Sequence, residues 1–289
     1  MHPTRHLERV LEDVDGWASA HGVAVGQISI DGQTRRVADV VDAGDCDLLV
    51  AVGGDGTTLA ALHAAAPQSR PVLGIACGSI GVLTSVTADQ VSLALDSFQG
   101  GRWAPTEVPG LELGWGGGHT ELAINDVAVL RDGPGQALVS VTVDDVLYAR
   151  LAGDGVVVAT ALGSSAYTMA AGGPILAPGA EGMVVTPLAP HAGSSPPLVA
   201  GAASSLTLAI EPGYGGVRYE VDGRIVSEAG DDLTVTLRPA YATLVQLAEE
   251  EPRLTGLRRR GLVLDSPRVL ARDARAAHVT PLPGTPPSP

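Results

Sequence analysis

Asp47-Leu-Leu-Val-Ala-Val52, then Gly53-Gly-Asp-Gly-Thr57, then Thr58-Leu-Ala-Ala-Leu-His-Ala-Ala-Ala66 is the stretch on which the fold turns. A short unbroken apolar run before a glycine turn reads as a strand buried on both faces, as in parallel sheets. The Ala/Leu-rich run that follows reads as a helix. Strand, loop and helix in that order put the loop at the carboxyl end of the strand, where open α/β sheets bind ligands. Glycines let the backbone approach a ligand closely, and the first turn of the following helix offers unpaired N–H groups to an anion. Asp55 is at odds with a plain phosphate cradle, because a carboxylate repels phosphate. It has a use if it accepts a proton or binds Mg²⁺, both of which phosphoryl transfer needs. The plainer alternative is a tight Gly-Asp-Gly turn with an acidic helix cap.

The pattern extends in both directions from this stretch. Leu7, Val10, Leu11, Val14 and Trp17 fall at helical spacing within Leu7 to Ala20, and Val23 to Ile30 reads as a strand. Met1-His2-Pro3-Thr4-Arg5 leads straight into the helix, so a first strand encoded upstream is expected. Pro71 to Ile75 reads as a second buried strand and Ala88 to Phe98 as a helix. Strands alternating with helices predict a parallel sheet flanked by helices.

Near Gly101 the character changes. Leu122 to Leu130, Ala137 to Val143, Val156 to Thr160, Leu206 to Ile210, Val217 to Val221 and Leu233 to Leu237 read as closely spaced strands. Asp132-Gly133, Pro212-Gly213 and Asp222-Gly223 supply turns between them. The expected organisation is an α/β nucleotide-binding domain over 1–103 and a mostly antiparallel β domain over 104–247. A C-terminal segment, 248–278, could return to the first domain; its Arg258-Arg259-Arg260 reads as a solvated helix face. The Pro-rich tail over 279–289 is expected to be disordered.

Composition removes several function classes. All eighteen basic residues are arginine, so Schiff-base chemistry, a lysine base and the Walker lysine are excluded. A net charge of −14 argues against a nucleic-acid polymer as partner. Two cysteines, Cys46 and Cys77, without a C-x-x-C, favour neither a disulfide framework nor a cysteine-based zinc site. No apolar run approaches the roughly 20 residues that cross a bilayer, and no leader pattern opens the chain, so a cytoplasmic protein without a membrane span is expected.

Other segments carry chemical signals. Gly74-Ile-Ala-Cys-Gly78-Ser-Ile-Gly81-Val-Leu-Thr84 also follows a buried strand, so both glycine loops could open onto one crevice. Gly153-Asp-Gly155 precedes the strand Val156 to Thr160, which runs into Ala161-Leu-Gly-Ser-Ser165-Ala-Tyr167, a small-residue helix and Gly172-Gly-Pro174. The serine-nucleophile spacing G-x-S-x-G is absent there. Asn125-Asp126 at a strand mouth could bond ribose hydroxyls or form an ordinary turn. His191 lies in a proline-rich loop and reads first as structural. Asp222-Gly223 reads first as a hairpin turn.

Taken in this order, the segments resemble the NAD kinase family, over roughly Asp47 to Gly223. Gly53 to Thr57 matches its G-G-D-G-T, and Asn125-Asp126 stands where the family has Asn-Glu. Gly153 to Tyr167 is similar to G-D-G…T-P-T-G-S-T-A-Y, and 171 to 175 matches A-G-G-P-I. Thr186-Pro187 with Pro190-His191 matches T-P-x-x-P-H, and Val221-Asp222-Gly223 matches x-D-G. The resemblance implies an N-terminal α/β domain, a C-terminal β domain and a homodimer or homotetramer. It makes Asp55 the base for the adenosine ribose 2′-hydroxyl of NAD, with Gly53, Gly54, Gly56 and Thr57 at the phosphates. Asn125, Asp126, Asp154, Ser165, Ala166 and Tyr167 would hold the dinucleotide; ATP or polyphosphate would be the donor, and Mg²⁺ or another divalent cation would assist. Departures fall mainly on loops expected to touch the acceptor: Ala76 for Asn, Val82 for Phe, Asp126 for Glu, Thr160-Ala-Leu-Gly-Ser-Ser165 for T-P-T-G-S-T, and Pro196 for Arg. They leave open a kinase for another nucleoside or nucleotide hydroxyl, or a non-catalytic dinucleotide-binding homologue.

Overall fold

The computed structural model of the chain describes residues 1–2, 7–30, 35–84, 86–191, 195–211, 213–226, 230–247 and 253–277. It divides into two compact units, Met1–Glu250 and Glu251–Pro289. In the first unit, the predicted strand before the glycine loop forms as β1 (Leu49–Gly53), and helix α2 (Asp55–Ala65) follows at once. β1 runs parallel to β2 (Pro71–Ala76), from Leu49 beside Val72 to Gly53 beside Ala76. β3 (Val86–Thr87) adds to β2 in parallel. Helices α1 (Glu8–His21) and α3 (Val91–Gln99) cover this sheet, packing Leu7, Val10, Val91 and Leu95 against Val52, Leu73 and Ile75. The Trp17 indole N–H donates to Asp96 at 2.6 Å, tying α1 to α3.

Val23 to Ile30 does not form the expected strand: only Gln27 pairs, in an isolated bridge with Val40. Val23 and Val25 are exposed, and the Gln27 side chain holds Val37 N–H and Arg35 C=O instead. Alternating apolar residues make a strand only where a neighbouring strand satisfies the backbone, and among the described residues this segment meets only the Gln27–Val40 bridge.

The remainder of the unit is β-rich. In chain order come β4 (Trp103–Trp115), β5 (Thr120–Ala123), β6 (Asp126–Arg131), β7 (Ala137–Val143), β8 (Val146–Gly153) and β9 (Gly155–Thr160). After the short helix α4 (Tyr167–Ala170) come β10 (Gly182–Leu188), β11 (Leu198–Gly201), β12 (Ser205–Glu211), β13 (Val217–Val221), β14 (Arg224–Val226) and β15 (Asp232–Leu247). An antiparallel sheet runs β11-β10-β9-β6-β13-β14. The other follows β1-β2-β15-β12-β7-β8, with β4 on β15 and β5 on β4. β15 therefore joins both halves. Its register shifts between Arg238 and Ala242, after which Thr243 and Leu244 lie parallel to Pro71 and Val72 of β2. The two sheets close over a core of mostly branched aliphatic side chains, among them Leu111, Val127, Val156, Leu206 and Leu233, with the unbranched Met183 beside them.

Two strand expectations need correction. Leu122 to Leu130 is not one strand: it breaks at Ile124-Asn125 into β5 and β6, which belong to different sheets. β10 went unread because Pro187 speaks against a strand, yet all its residues are buried. Pro187 lies beyond the last residue paired with β11, where its missing N–H costs no ladder bond. After Thr160 the expected Gly/Ser turn forms as a single 3₁₀ turn, Gly163–Ser165, and the expected small-residue helix as the short α4.

The second unit carries α5 (Arg253–Arg259) and α6 (Pro267–Ala277). Arg258 and Arg259 are exposed there, as a solvated face requires, and Arg258 pairs with Asp265 at 2.7 Å; Arg260 departs from that expectation, being half-buried with its Nε donating to the Gly256 carbonyl at 3.1 Å. Pro212 and the tail from 278 lie outside the described residues. Among the described residues no helix is long and apolar enough to cross a membrane.

Candidate active site

Asp55 opens α2, and its carboxylate reaches the second glycine loop. Oδ2 accepts the Val82 N–H at 2.8 Å and Oδ1 the Leu83 N–H at 2.9 Å. Gly81 must lack a side chain here, since a Cβ would fall 1.9 Å from Asp55 Oδ1. The loop is pressed onto the sheet as well: a Cβ on Gly74 would meet the Leu83 carbonyl at 2.4 Å. The Cys77 N–H donates to Gly53 C=O at 2.8 Å. The two loops thus share one locality, as their positions after β1 and β2 suggested. Gly54 takes an extended conformation as the helix cap, and its carbonyl accepts the N–H groups of Thr57 and Thr58, both at 3.0 Å. Gly53 is buried, Gly54 and Thr57 half-buried, and Gly56 exposed.

Asn125 and Asp126 occupy the break between β5 and β6. Here the backbone abandons the ladder, and a side chain takes over its donors. Asp222 accepts N–H from Ile124 (2.8 Å), Asn125 (2.7 Å) and Asp126 (3.2 Å). On the opposite side Thr160 holds the carbonyls: its Oγ1–H donates to Ile124 at 2.7 Å and its N–H to Asn125 at 2.9 Å. Gly163 packs so closely that a Cβ would lie 2.0 Å from the Asn125 carbonyl oxygen. The Asn125 side chain is half-buried, and Asp126 is buried, 7 % exposed. Burial pushes the Asp126 carboxyl up to about 7, and the Asp222 and Glu220 carboxylates act in the same direction.

Asp154 lies in the turn from β8 to β9. The next residue, Gly155, has φ +147°, and a Cβ there would strike the Val129 carbonyl at 2.0 Å. Asp154 accepts from Arg131 Nε at 2.6 Å, a partner that the sequence reading did not name. Ser165 is half-buried, with its hydroxyl donating to Leu162 C=O, whereas Ala166 and Tyr167 are exposed. Burial and the Glu220 carboxylate raise the Tyr167 hydroxyl pKa; Asp126 and Asp154 also raise it, and Arg218 opposes them. These charged groups surround one stretch of the antiparallel sheet, where Arg218 also donates to Glu220 at 2.8 Å. His191, read as structural, is exposed and contacts Gln136 at 3.1 Å.

Sequence reasoning passed over His63, Arg131, Arg218 and Glu220, and took Asp222 first as a hairpin turn and only second as a contributor to the site. The turn itself was a local signal, but the amides that Asp222 holds belong to Ile124, Asn125 and Asp126, nearly a hundred residues earlier. For the others there was no signal, because each acquires its role from a strand distant in sequence. Among the described residues no group of three or more His, Cys, Asp or Glu side chains is arranged to hold a metal ion.

A glycine loop that seats a carboxylate against backbone amides thus stands in the α/β half, and the polar turns stand in the β-rich half. Residues 4–102 match the ATP-NAD kinase N-terminal domain, and residues 124–247 the ATP-NAD kinase C-terminal domain. The chain is 36% identical over 257 residues to an NAD kinase of Symbiobacterium thermophilum, covering 83% of this chain and 88% of that one. It is 33% identical over 204 residues to an NAD kinase of Chlorobaculum tepidum, covering 69% and 71%. The chain belongs to the NAD kinase family. Its fold is shared with the yeast NADH kinase complexed with NADH (TM-score 0.74, 22% identity, covering 89% of this chain and 85% of that one). It is shared equally with the NAD kinase of Archaeoglobus fulgidus in complex with ATP (TM-score 0.72, 24% identity, 91% and 97%).

Proposed function

We propose that this protein transfers the γ-phosphoryl group of ATP to the 2′-hydroxyl of the adenosine ribose of NAD, giving ADP and NADP. The observation that carries this reading is the Asp55 carboxylate, fixed by the Val82 and Leu83 amides at the mouth of two glycine loops. Asp55 takes the proton from the 2′-hydroxyl as that oxygen attacks phosphorus. The bond from phosphorus to the bridging oxygen of ADP breaks, and ADP departs. Gly53, Gly54 and Gly56 hold phosphate oxygens through backbone N–H groups at the head of α2, and Thr57 through its hydroxyl; together they replace the lysine this sequence lacks. Asn125, Asp126, Asp154, Ser165, Ala166 and Tyr167 hold the dinucleotide.

A divalent cation would enter with the substrate as Mg·ATP and would neutralise charge on the transferring phosphoryl group. Magnesium is commonly held through one or two carboxylates plus phosphate oxygens, not by an all-protein cage. Homo-oligomeric assembly, which rests on the family resemblance, and a cytoplasmic location, which rests on the short apolar runs and cysteine usage of the sequence, complete the reading. The test is direct: purified protein with ATP, Mg²⁺ and NAD, with NADP read by a coupled dehydrogenase. Asp55→Asn is expected to lower kcat by about 10²–10⁴, the usual worth of a general base, with the fold intact by circular dichroism. NADP formation that survives in this variant overturns the assignment of Asp55. Absence of NADP in the wild type, with turnover of ATP on another nucleoside, overturns the choice of acceptor.

A further inference from the structure

The carboxylate of Asp222 has no exposed surface, so it cannot touch a ligand. Nevertheless it gathers three consecutive N–H groups, those of Ile124, Asn125 and Asp126, and receives a fourth bond from His63 Nε2 at 2.6 Å. A carboxylate only accepts, so the imidazole carries its proton on Nε2. That leaves Nδ1 to face the Tyr241 hydroxyl at 3.4 Å. His63 belongs to α2, the helix that Asp55 begins; eight residues separate them, about 12 Å of helix. Alongside this bond, Leu62 of α2 packs with Ile124 and Leu162 in one cluster. We propose that Asp222 and His63 form a positioning pair that locks the Asn125-Asp126 loop to helix α2, and through it sets acceptor binding against the Asp55 loop.

Backbone geometry does not explain the choice of residue. Asp222 has φ +49°, a conformation that Asn adopts as readily as Asp. An Asn has one acceptor oxygen and would turn its NH₂ toward a second set of donors. What calls for a carboxylate is the set of four donors converging on two oxygens. The loop is held from the other side by Thr160 and has no spare room at Gly163, so it has one position when the clamp is closed. Losing the clamp leaves amides without acceptors in a buried place, and relaxation falls on Asn125 and Asp126, the only members of the loop with polar side chains.

This inference rests on the NAD kinase reading, and the experiment separates the two. Wild type, Asp222→Asn, His63→Ala, His63→Gln and the double variant Asp222→Asn/His63→Ala are compared by steady-state kinetics, by calorimetric NAD binding and by melting temperature. Asp222→Asn is expected to raise KM and Kd for NAD about tenfold or more, the factor set by losing one hydrogen bond to a charged group. KM for ATP is expected to stay within about twofold, since the amides at the head of α2 are unchanged. His63→Gln keeps a donor at the Nε2 position and should match wild type, whereas His63→Ala should not. The double variant should be no worse than Asp222→Asn alone, as expected of two groups in one network. The pair is refuted if NAD affinity is unchanged in Asp222→Asn and His63→Ala, or if both KM values rise together in step with melting temperature. If Asp222→Asn does not fold, His63→Ala against His63→Gln decides the matter. A wild type that makes no NADP overturns the activity reading, while NAD binding across the variants still decides the clamp.

Discussion

Asp126 offers a test in which stability and activity move in opposite directions. Its carboxyl is buried and its pKa is held at about 7, first by burial and then by Asp222 and Glu220, against an ordinary 3.8. Between those two values the native state binds more protons than the unfolded chain. Stability must therefore fall as pH rises from about 4 to 7, and change no further through this group above that range. With about 1.36 kcal/mol for each unit, a shift of roughly three units is worth at most about 4 kcal/mol. Asp126→Asn removes the charge while leaving the β6 ladder opposite Ala159 untouched. The variant is expected to match wild type near pH 4 and to exceed it increasingly up to pH 7–8, by as much as about 4 kcal/mol. Denaturant midpoints from pH 4 to 8 measure this, and carboxylates that do not interact with Asp126 cancel in the difference. Activity should run the other way: KM for NAD in wild type falls as pH passes 7 and the carboxylate ionises to accept ribose hydroxyls, whereas the variant has a high, flat KM. A stability difference that is constant across pH would show that Asp126 is not protonated in the native protein and would refute the reasoning.

Gly81→Ala should be nearly as damaging to NADP formation as Asp55→Asn, about 10²–10⁴ in kcat, because the new Cβ would lie 1.9 Å from Asp55 Oδ1 and must displace the carboxylate or the Val82 and Leu83 amides. Coupled-assay kinetics with circular dichroism check it, and near-normal kcat would show that the Asp55 rotamer seen here is immaterial to turnover. Gly163→Ala should destabilise by about 1–3 kcal/mol, because backbone at the Asn125 carbonyl lies 2.0 Å from the added methyl and cannot rotate away. An unchanged melting temperature in that variant would mean that the loop is free to shift.

Much of the architecture was legible because its signals are local. An apolar run ending in Gly53-Gly54-Asp55-Gly56-Thr57 specifies strand, loop and helix within twenty residues, and both parallel strands formed where the pattern placed them. The same holds for Ala137 to Val143, Leu206 to Ile210 and Val217 to Val221. Val23 to Ile30 shows the limit of the method: its alternation is as good as theirs, but among the described residues it meets only the Gln27–Val40 bridge.

The site was half-legible. Asp55 announced itself by standing among glycines, and Asn125-Asp126, Asp154 and Tyr167 by their place in an ordered series of motifs. That Asp55 is gripped by the Val82 and Leu83 amides, that Arg131 takes hold of Asp154, and that Asp126 is pushed to about 7 required the assembled sheets. Local residues decide the dihedral angles a segment prefers, and those follow from the sequence itself. Which acceptor satisfies the N–H of Ile124 was settled 98 residues further on, at Asp222, because buried backbone groups must be paired and their partners are chosen by the way the sheets close.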